Sequence, residues 1–237
     1  MAALLSVAGL AHTYGAGSDR VAALRRIDLE LEPGERVAVM GRSGSGKTTL
    51  LNVLAGLERP SGGRVLIDGH DLARMDRRHR EAYRRRVIGY VWQQPHDGLL
   101  PGLTVLENVL VPVLGGGEAG PAQVEMALRL LDAIRLGDRL DVLPGRLTAP
   151  ETQRLAIAVA LANDPRLLLA DELTARLDWP VARELLGDLA ALLGQRAAIL
   201  VTHDPRVARH VDRLVLIRDG VATPAPVEPG LAAGRRS

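Results

Sequence analysis

Arg36-Val-Ala-Val-Met-Gly-Arg-Ser-Gly-Ser-Gly-Lys-Thr48 joins two patterns that together imply one architecture. Val37–Met40 is a continuous apolar run led in by the turn Glu32-Pro-Gly-Glu35, the pattern of a strand buried on both faces of a parallel sheet. Gly41–Thr48 then fits G-x-x-x-x-G-K-[ST] in full, and Thr48–Gly56 continues with helical apolar spacing. Strand, glycine loop and helix follow one another as a phosphate cradle requires. Gly41, Gly44 and Gly46, with Ser43 and Ser45 between them, let backbone N–H groups turn inward around phosphates, and the helix points its positive end at them. Lys47 brings a compact charge to the β- and γ-phosphates of ATP. The Thr48 hydroxyl is placed to bind Mg²⁺, and Thr49 completes the nucleotide-contacting run.

Lys47 is the only lysine among 30 basic residues, the others all being arginine. Arginine there would force a planar fork into a tight cradle. The second half of the site is Leu167-Leu-Leu-Ala-Asp171-Glu172. Apolar residues bury the strand, and carboxylates emerge at its C-terminal end, where α/β sites lie. Asp171 is placed to hold Mg²⁺ through water, and Glu172 to act as the general base that polarises the attacking water.

Working outward, strands are expected at Leu4–Ala8, Leu24–Leu31, Arg64–Ile67, Val87–Trp92, Ile199–Thr202 and Leu214–Ile217. Helices are expected at Val105–Leu110, Gln123–Ile134, Pro150–Ala162 and Val181–Leu193, with a loop at Gly115–Pro121. The fold class is therefore α/β, a P-loop NTPase core with a small antiparallel β region at its start and an inserted helical subdomain. A single domain is expected over residues 1–225, with core 1–93 and 163–225, helical subdomain 94–162, and a flexible tail at 226–237. The stretch after Gly220, rich in Pro, Ala and Gly, reads as loosely held.

Composition narrows the class. The chain has 237 residues, 47% hydrophobic, no Phe and no Cys, which excludes general disorder, a disulfide framework and a Cys-based metal site. A formal charge of +2 does not mark a nucleic-acid binder. No apolar stretch approaches a bilayer span, and the start lacks the basic region of a signal peptide, so a cytoplasmic location is expected.

The motifs form an ordered set that resembles the ABC ATPases across about residues 3–222. The resemblance implies further roles. Tyr14 stands where the family stacks an aromatic on adenine. Gln93, ending the strand VIGYVWQ, matches the glutamine that contacts Mg²⁺ and water and senses a membrane partner. Asp178 in ARLD matches the aspartate loop at the dimer interface. His203 in ILVTHD matches the histidine that hydrogen-bonds the γ-phosphate. The segment QQPHDGLLPGLTVLENV is similar to ATPases of lipoprotein-release, macrolide-export and cell-division systems. Implied partners are an integral membrane permease, holding the chain peripherally on the inner face of the cell membrane, and a second ATPase subunit.

One motif departs from the family. Its signature, LSGGQ or LSGGE, is here Leu147-Thr-Ala-Pro-Glu151. Thr148 and Glu151 fit a capping box, and an early proline suits a helix start. As chemistry for the dimer face the run is weakened, since Pro150 has no N–H and Ala149 restricts the backbone where glycine allows close approach. Losing one donor to a γ-phosphate slows turnover roughly tenfold to a hundredfold. Leu173 in place of the usual proline, and Trp179-Pro180 after Asp178, lie on the same dimer-facing side. A heterodimer with one sound and one degenerate site, and a homodimer with both impaired, stand open. The rival function is a non-hydrolysing ATP switch, opposed by the intact Glu172 and His203. A soluble ABC ATPase acting on DNA or ribosomes is a further rival, opposed by the absence of a second fused ATPase half.

Arg74–Arg86 carries seven arginines and reads as a solvated helix face, with contact to the membrane surface or permease as the alternative and no nucleic-acid partner expected. His12, His70, His79, His96 and His210 lack ligand spacing and read as surface residues.

Overall fold

The computed structural model describes residues 3–114 and 119–225. The strands are β1 (Leu5–Tyr14), β2 (Val21–Leu31), β3 (Arg36–Met40), β4 (Gly62–Ile67), β5 (His70–Asp71), β6 (Ile88–Val91), β7 (Leu167–Asp171), β8 (Ala197–Thr202), β9 (Arg213–Arg218) and β10 (Val221–Ala225). They form one sheet in the order β5-β4-β1-β2-β10-β9-β3-β8-β7-β6. The β9-β3-β8-β7-β6 side is parallel throughout, and β5-β4-β1-β2 is antiparallel. The stretch after Gly220 corrects the expectation of loose structure. β10 pairs antiparallel with β9 and touches β2, joining the two halves of the sheet, and its Pro224 is accommodated beside Val215.

The helices are α1 (Lys47–Leu54), α2 (Arg77–Val87), α3 (Val105–Leu110), α4 (Pro121–Ala133), α5 (Ala149–Leu161) and α6 (Trp179–Leu193). Pro121, placed in a loop by the sequence, instead opens α4, because its fixed φ and missing N–H suit a first helical position. Residues 115–118 of that loop and the tail 226–237 lie outside the described residues. With no Phe, packing falls to branched aliphatics. Parallel strands such as β7 and β8 are buried at every position. α3, α4 and α5 share a separate apolar cluster around Val105, Val109, Leu131 and Leu155. α5 joins the layers, with Leu155 and Ala158 facing that cluster while Ile157 and Leu161 face the sheet. Burying two faces of one helix is what mounts the helical part on the core.

Asn108 organises the entry to the helical part. It is buried, its Nδ2 donates to the carbonyls of Leu100, Leu103 and Thr104 at 2.9–3.1 Å, and its Oδ1 accepts from Leu100 N–H at 2.7 Å. α2 is the arginine-rich helix, and Arg77, Arg78, Arg85 and Arg86 are exposed. No helix among the described residues is long and apolar enough to cross a membrane.

Candidate functional site

Strand register gathers the candidate residues on one edge. Met40 pairs with Thr202, Asp171 with Val201, and Val91 with Ala170, so the C-terminal ends of β3, β8, β7 and β6 lie side by side. The residues that follow, Gly41, His203, Glu172 and Gln93, are brought to the same edge from distant parts of the chain. A cleft of about 480 Å³ there is lined by Ala23, Ser43, Gly44, Gly46, Lys47, Thr48, Thr49, Gln93, Asp171, Glu172, Ala175 and His203.

The glycine loop is shaped by positions where only glycine fits. Gly46 has φ 103°, and a Cβ there would stand 2.5 Å from the Ala23 carbonyl oxygen. A Cβ on Gly41 would stand 2.3 Å from the Ile217 carbonyl oxygen. Lys47 is buried, and its Nζ donates to the Gly41 and Arg42 carbonyl oxygens at 2.9 and 3.0 Å, satisfying two of three ammonium donors. The Ser45 hydroxyl is buried and has no hydrogen-bond partner.

Thr48 Oγ1 donates to Asp171 Oδ2 at 2.7 Å, and the buried Asp171 Oδ1 has no partner. Burial raises the Asp171 carboxyl above its ordinary range, and the Glu172 charge adds to this, while the Thr48 hydrogen bond and Lys47 pull it down. Among the described residues no group of three or more His, Cys, Asp or Glu stands together to hold a metal. The paired oxygens are the Thr48 hydroxyl and the Asp171 carboxylate, with the Gln93 side chain lining the same cleft. That donor set fits magnesium, which keeps several waters and takes its other ligands from phosphates.

Glu172 has a left-handed backbone, φ 50°, which costs a non-glycine residue on the order of 1 kcal/mol or more. Its N–H is bonded to the Val201 carbonyl at 2.9 Å, which holds the turn against β8. The side chain is thereby turned to the cleft, where Glu172 Oε2 lies 2.8 Å from His203 Nδ1. Tyr14 is at the end of β1. Its hydroxyl donates to Glu58 Oε1 at 2.8 Å and lies 3.4 Å from the Thr49 hydroxyl.

Thr148, Ala149, Pro150, Glu151 and Asp178 do not line this cleft. Thr148 caps α5 in a full capping box. Thr148 Oγ1 donates to Glu151 Oε2 at 2.8 Å, Thr148 N–H donates to the same oxygen at 2.8 Å, and Glu151 Oε1 accepts from Arg139 at 3.1 Å. Asp178 is exposed at the start of α6 and makes no side-chain cap there.

His12 corrects the expectation of a surface histidine. It is 8% exposed and held between Glu58 and the Arg59 carbonyl. Trp179 also has a use that its sequence position did not announce. The Arg206 guanidinium lies 4.4 Å over its ring and pairs with both Asp204 oxygens, tying the start of α6 to the loop after His203. Ala23 and Ala175 line the cleft with no chemistry that a motif could flag.

The family profile for ABC transporters matches residues 24–175, which include the glycine loop and Asp171–Glu172. The chain belongs to the ABC transporter family. It falls among the ATP-binding proteins of lipoprotein-release and macrolide-export systems. It is 42% identical over 221 residues to the lipoprotein-releasing system ATP-binding protein LolD of Pseudomonas fluorescens, covering 92% of this chain and 96% of the relative. It is 43% identical over 220 residues to the macrolide export ATP-binding/permease protein MacB 1/2 of Paracoccus denitrificans, covering 92% of this chain and 33% of that protein. The chain thus spans about a third of the macrolide-export relative and nearly all of the lipoprotein-releasing one. The dimeric post-hydrolysis structure of the ATP-binding cassette MJ0796, bound to ADP and Pi, superposes with TM-score 0.84 at 34% identity, covering 93% of this chain and 98% of that one. The α/β fold and the nature of this ABC cassette as an ATP-binding ATPase follow from these likenesses.

Proposed function

We propose that this cassette binds Mg·ATP in the cleft between the glycine loop and Glu172, closes on a second cassette, and passes the motion to an integral membrane permease. The observation that carries the proposal is the meeting of two pairs on one sheet edge, Thr48 with Asp171 and Glu172 with His203. Lys47 exchanges loop carbonyls for the β- and γ-phosphates, which also accept backbone N–H groups of the loop and of the first turn of α1. Thr48, Gln93 and, through water, Asp171 would hold Mg²⁺. When bound, the ion neutralises charge on the phosphate oxygens.

Glu172 orients the attacking water and takes its proton. Its left-handed backbone and the His203 contact support that role by aiming the carboxylate before substrate arrives. His203 then reaches the γ-phosphate, and Tyr14 stacks on the adenine. Gln93 follows the edge strand β6, where a permease segment could bear on it. The chain would then sit peripherally on the inner face of the membrane through that permease.

The dimer face supports an asymmetric machine. Thr148, Ala149, Pro150, Glu151 and Asp178 would meet the partner's ATP, yet the hydroxyl and carboxylate of the Thr148–Glu151 box are committed to each other. Pro150 offers no donor. A heterodimer in which this chain's nucleotide meets a sound signature from another cassette fits these features. A switch that dimerises without turnover draws on the same features but leaves the Glu172–His203 pair without a use.

The test is steady-state ATP hydrolysis by the purified chain alone, with Lys47→Ala and Glu172→Gln as controls. Turnover lost in both variants supports hydrolysis with the LTAPE signature and removes the motive for a heterodimer. Tight ATP binding without turnover, abolished by Lys47→Ala, supports a partner cassette or the switch. Turnover that survives Glu172→Gln would take the base role away from Glu172.

A further inference from the structure

Resting on the assignment of Tyr14 to the adenine, we propose that Glu58 is a positioning residue, which with His12 and Asn52 sets the Tyr14 ring at a fixed distance from the phosphate cradle. Tyr14 ends β1, in the antiparallel part of the sheet, whereas the phosphate side of the site is built on β3 and α1. A base wall and a phosphate cradle on separate elements need a tie between them. Glu58 lies just past α1, and its Oε1 accepts from the Tyr14 hydroxyl at 2.8 Å and from Asn52 Nδ2 at 3.1 Å. Asn52 is on α1, one turn beyond Thr48, and its Oδ1 accepts from the Tyr90 hydroxyl at 3.2 Å, which fixes which way the amide faces. The ring is thus tied to the helix that carries Lys47 and Thr48.

The other carboxylate oxygen holds His12. Glu58 Oε2 is 2.8 Å from His12 Nε2, and His12 Nδ1 is 3.0 Å from the Arg59 carbonyl oxygen. The His12 ring packs edge-on against Tyr14, with centroids 4.7 Å apart. Tyr14 is therefore held at its ring by His12 and at its hydroxyl by Glu58, although 41% exposed. Partial burial and the Glu58 carboxylate keep the phenol above its usual titration range, so it remains a donor at neutral pH. A ring already immobilised loses little further entropy when a base stacks on it.

The experiment measures, by calorimetry on the full chain with magnesium, the Kd for a non-hydrolysable ATP analogue and for inorganic tripolyphosphate. It compares the wild type with Tyr14→Ala, Tyr14→Phe and Glu58→Gln. Tripolyphosphate binding is expected to stay unchanged in all four. Nucleotide binding is expected to weaken about tenfold to a hundredfold in Tyr14→Ala, which removes the stacking face. It is expected to weaken about threefold to tenfold in Tyr14→Phe and Glu58→Gln, which keep the ring but loosen it. Unchanged nucleotide binding by Tyr14→Ala would remove the stacking assignment beneath the proposal. A weakened Tyr14→Ala beside unchanged Tyr14→Phe and Glu58→Gln would overturn the positioning role alone. Loss of both ligands in Glu58→Gln would make Glu58 a support of the glycine loop and would also overturn it.

Discussion

α1 and α5 both begin beside the dimer-facing chemistry expected of this family, and they begin in opposite ways. α1 starts from Gly46 with no side-chain cap, and the first N–H tied back is that of Leu50, to the Gly46 carbonyl at 2.9 Å. Lys47, Thr48 and Thr49, whose N–H groups come before it, line the cleft. α5 starts from Thr148 with both halves of a capping box made, and Pro150 removes a further donor. An N-terminus that caps itself is more stable, and one that leaves its donors free can bind an anion. The chain leaves α1 open and closes α5, and the proposed asymmetric dimer rests on that difference.

Closing the open end is expected to have the largest effect. Gly46→Ala sets a Cβ against the Ala23 carbonyl at a φ that disfavours alanine. The strain is about 3 kcal/mol, or roughly a hundredfold in ATP affinity, read by calorimetry. Unchanged affinity would show that the loop can bind phosphate in another shape. Opening the closed end is the converse. Ala149→Gly with Pro150→Gly is expected to raise ATP turnover of the chain alone by about tenfold, through one recovered donor. No rise in steady-state rate would mean that the start of α5 does not limit hydrolysis.

A smaller effect isolates the cap. Thr148→Ala is expected to cost about 1 kcal/mol of stability in chemical denaturation while leaving ATP affinity intact. A loss of affinity would place Thr148 in the chain's own site. The smallest effect is in pH. Backbone and side-chain hydrogen bonds from Thr148, with Arg139 beside it, hold Glu151 below the ordinary carboxylate range. A depressed folded value means that the cap's contribution is complete above the unfolded value and is lost as pH falls through the folded one. Amide exchange in the first turn of α5 is expected to quicken, beyond its intrinsic rate, only below the usual glutamate range, and Glu151→Gln to remove that dependence.

The parallel half of the sheet was legible because strands buried on both faces leave unbroken apolar runs, as at Val37–Met40 and Leu167–Ala170. The glycine loop was legible because a tight cradle demands residues at fixed spacing. β10 was missed because Val221–Ala225 contains a proline and small residues, and its place depends on β9 and β2 lying beside it. His12 was missed because neither of its partners, Glu58 and the Arg59 carbonyl, lies within 40 residues of it in sequence. The Trp179–Arg206 contact was hidden for a similar reason, since the two residues lie on separate segments, α6 and the loop after His203.

Spacing within one segment needs only the local backbone, so the sequence by itself determined the strand–loop–helix cradle, the Asp171–Glu172 strand end and the self-capping start of α5. Which residues of distant segments touch depends on strand order, register and the packing of buried faces. Only the tertiary structure therefore decided that Thr48 meets Asp171, that Glu172 turns to His203 through a left-handed backbone, and that Tyr14 is tied through Glu58 to α1.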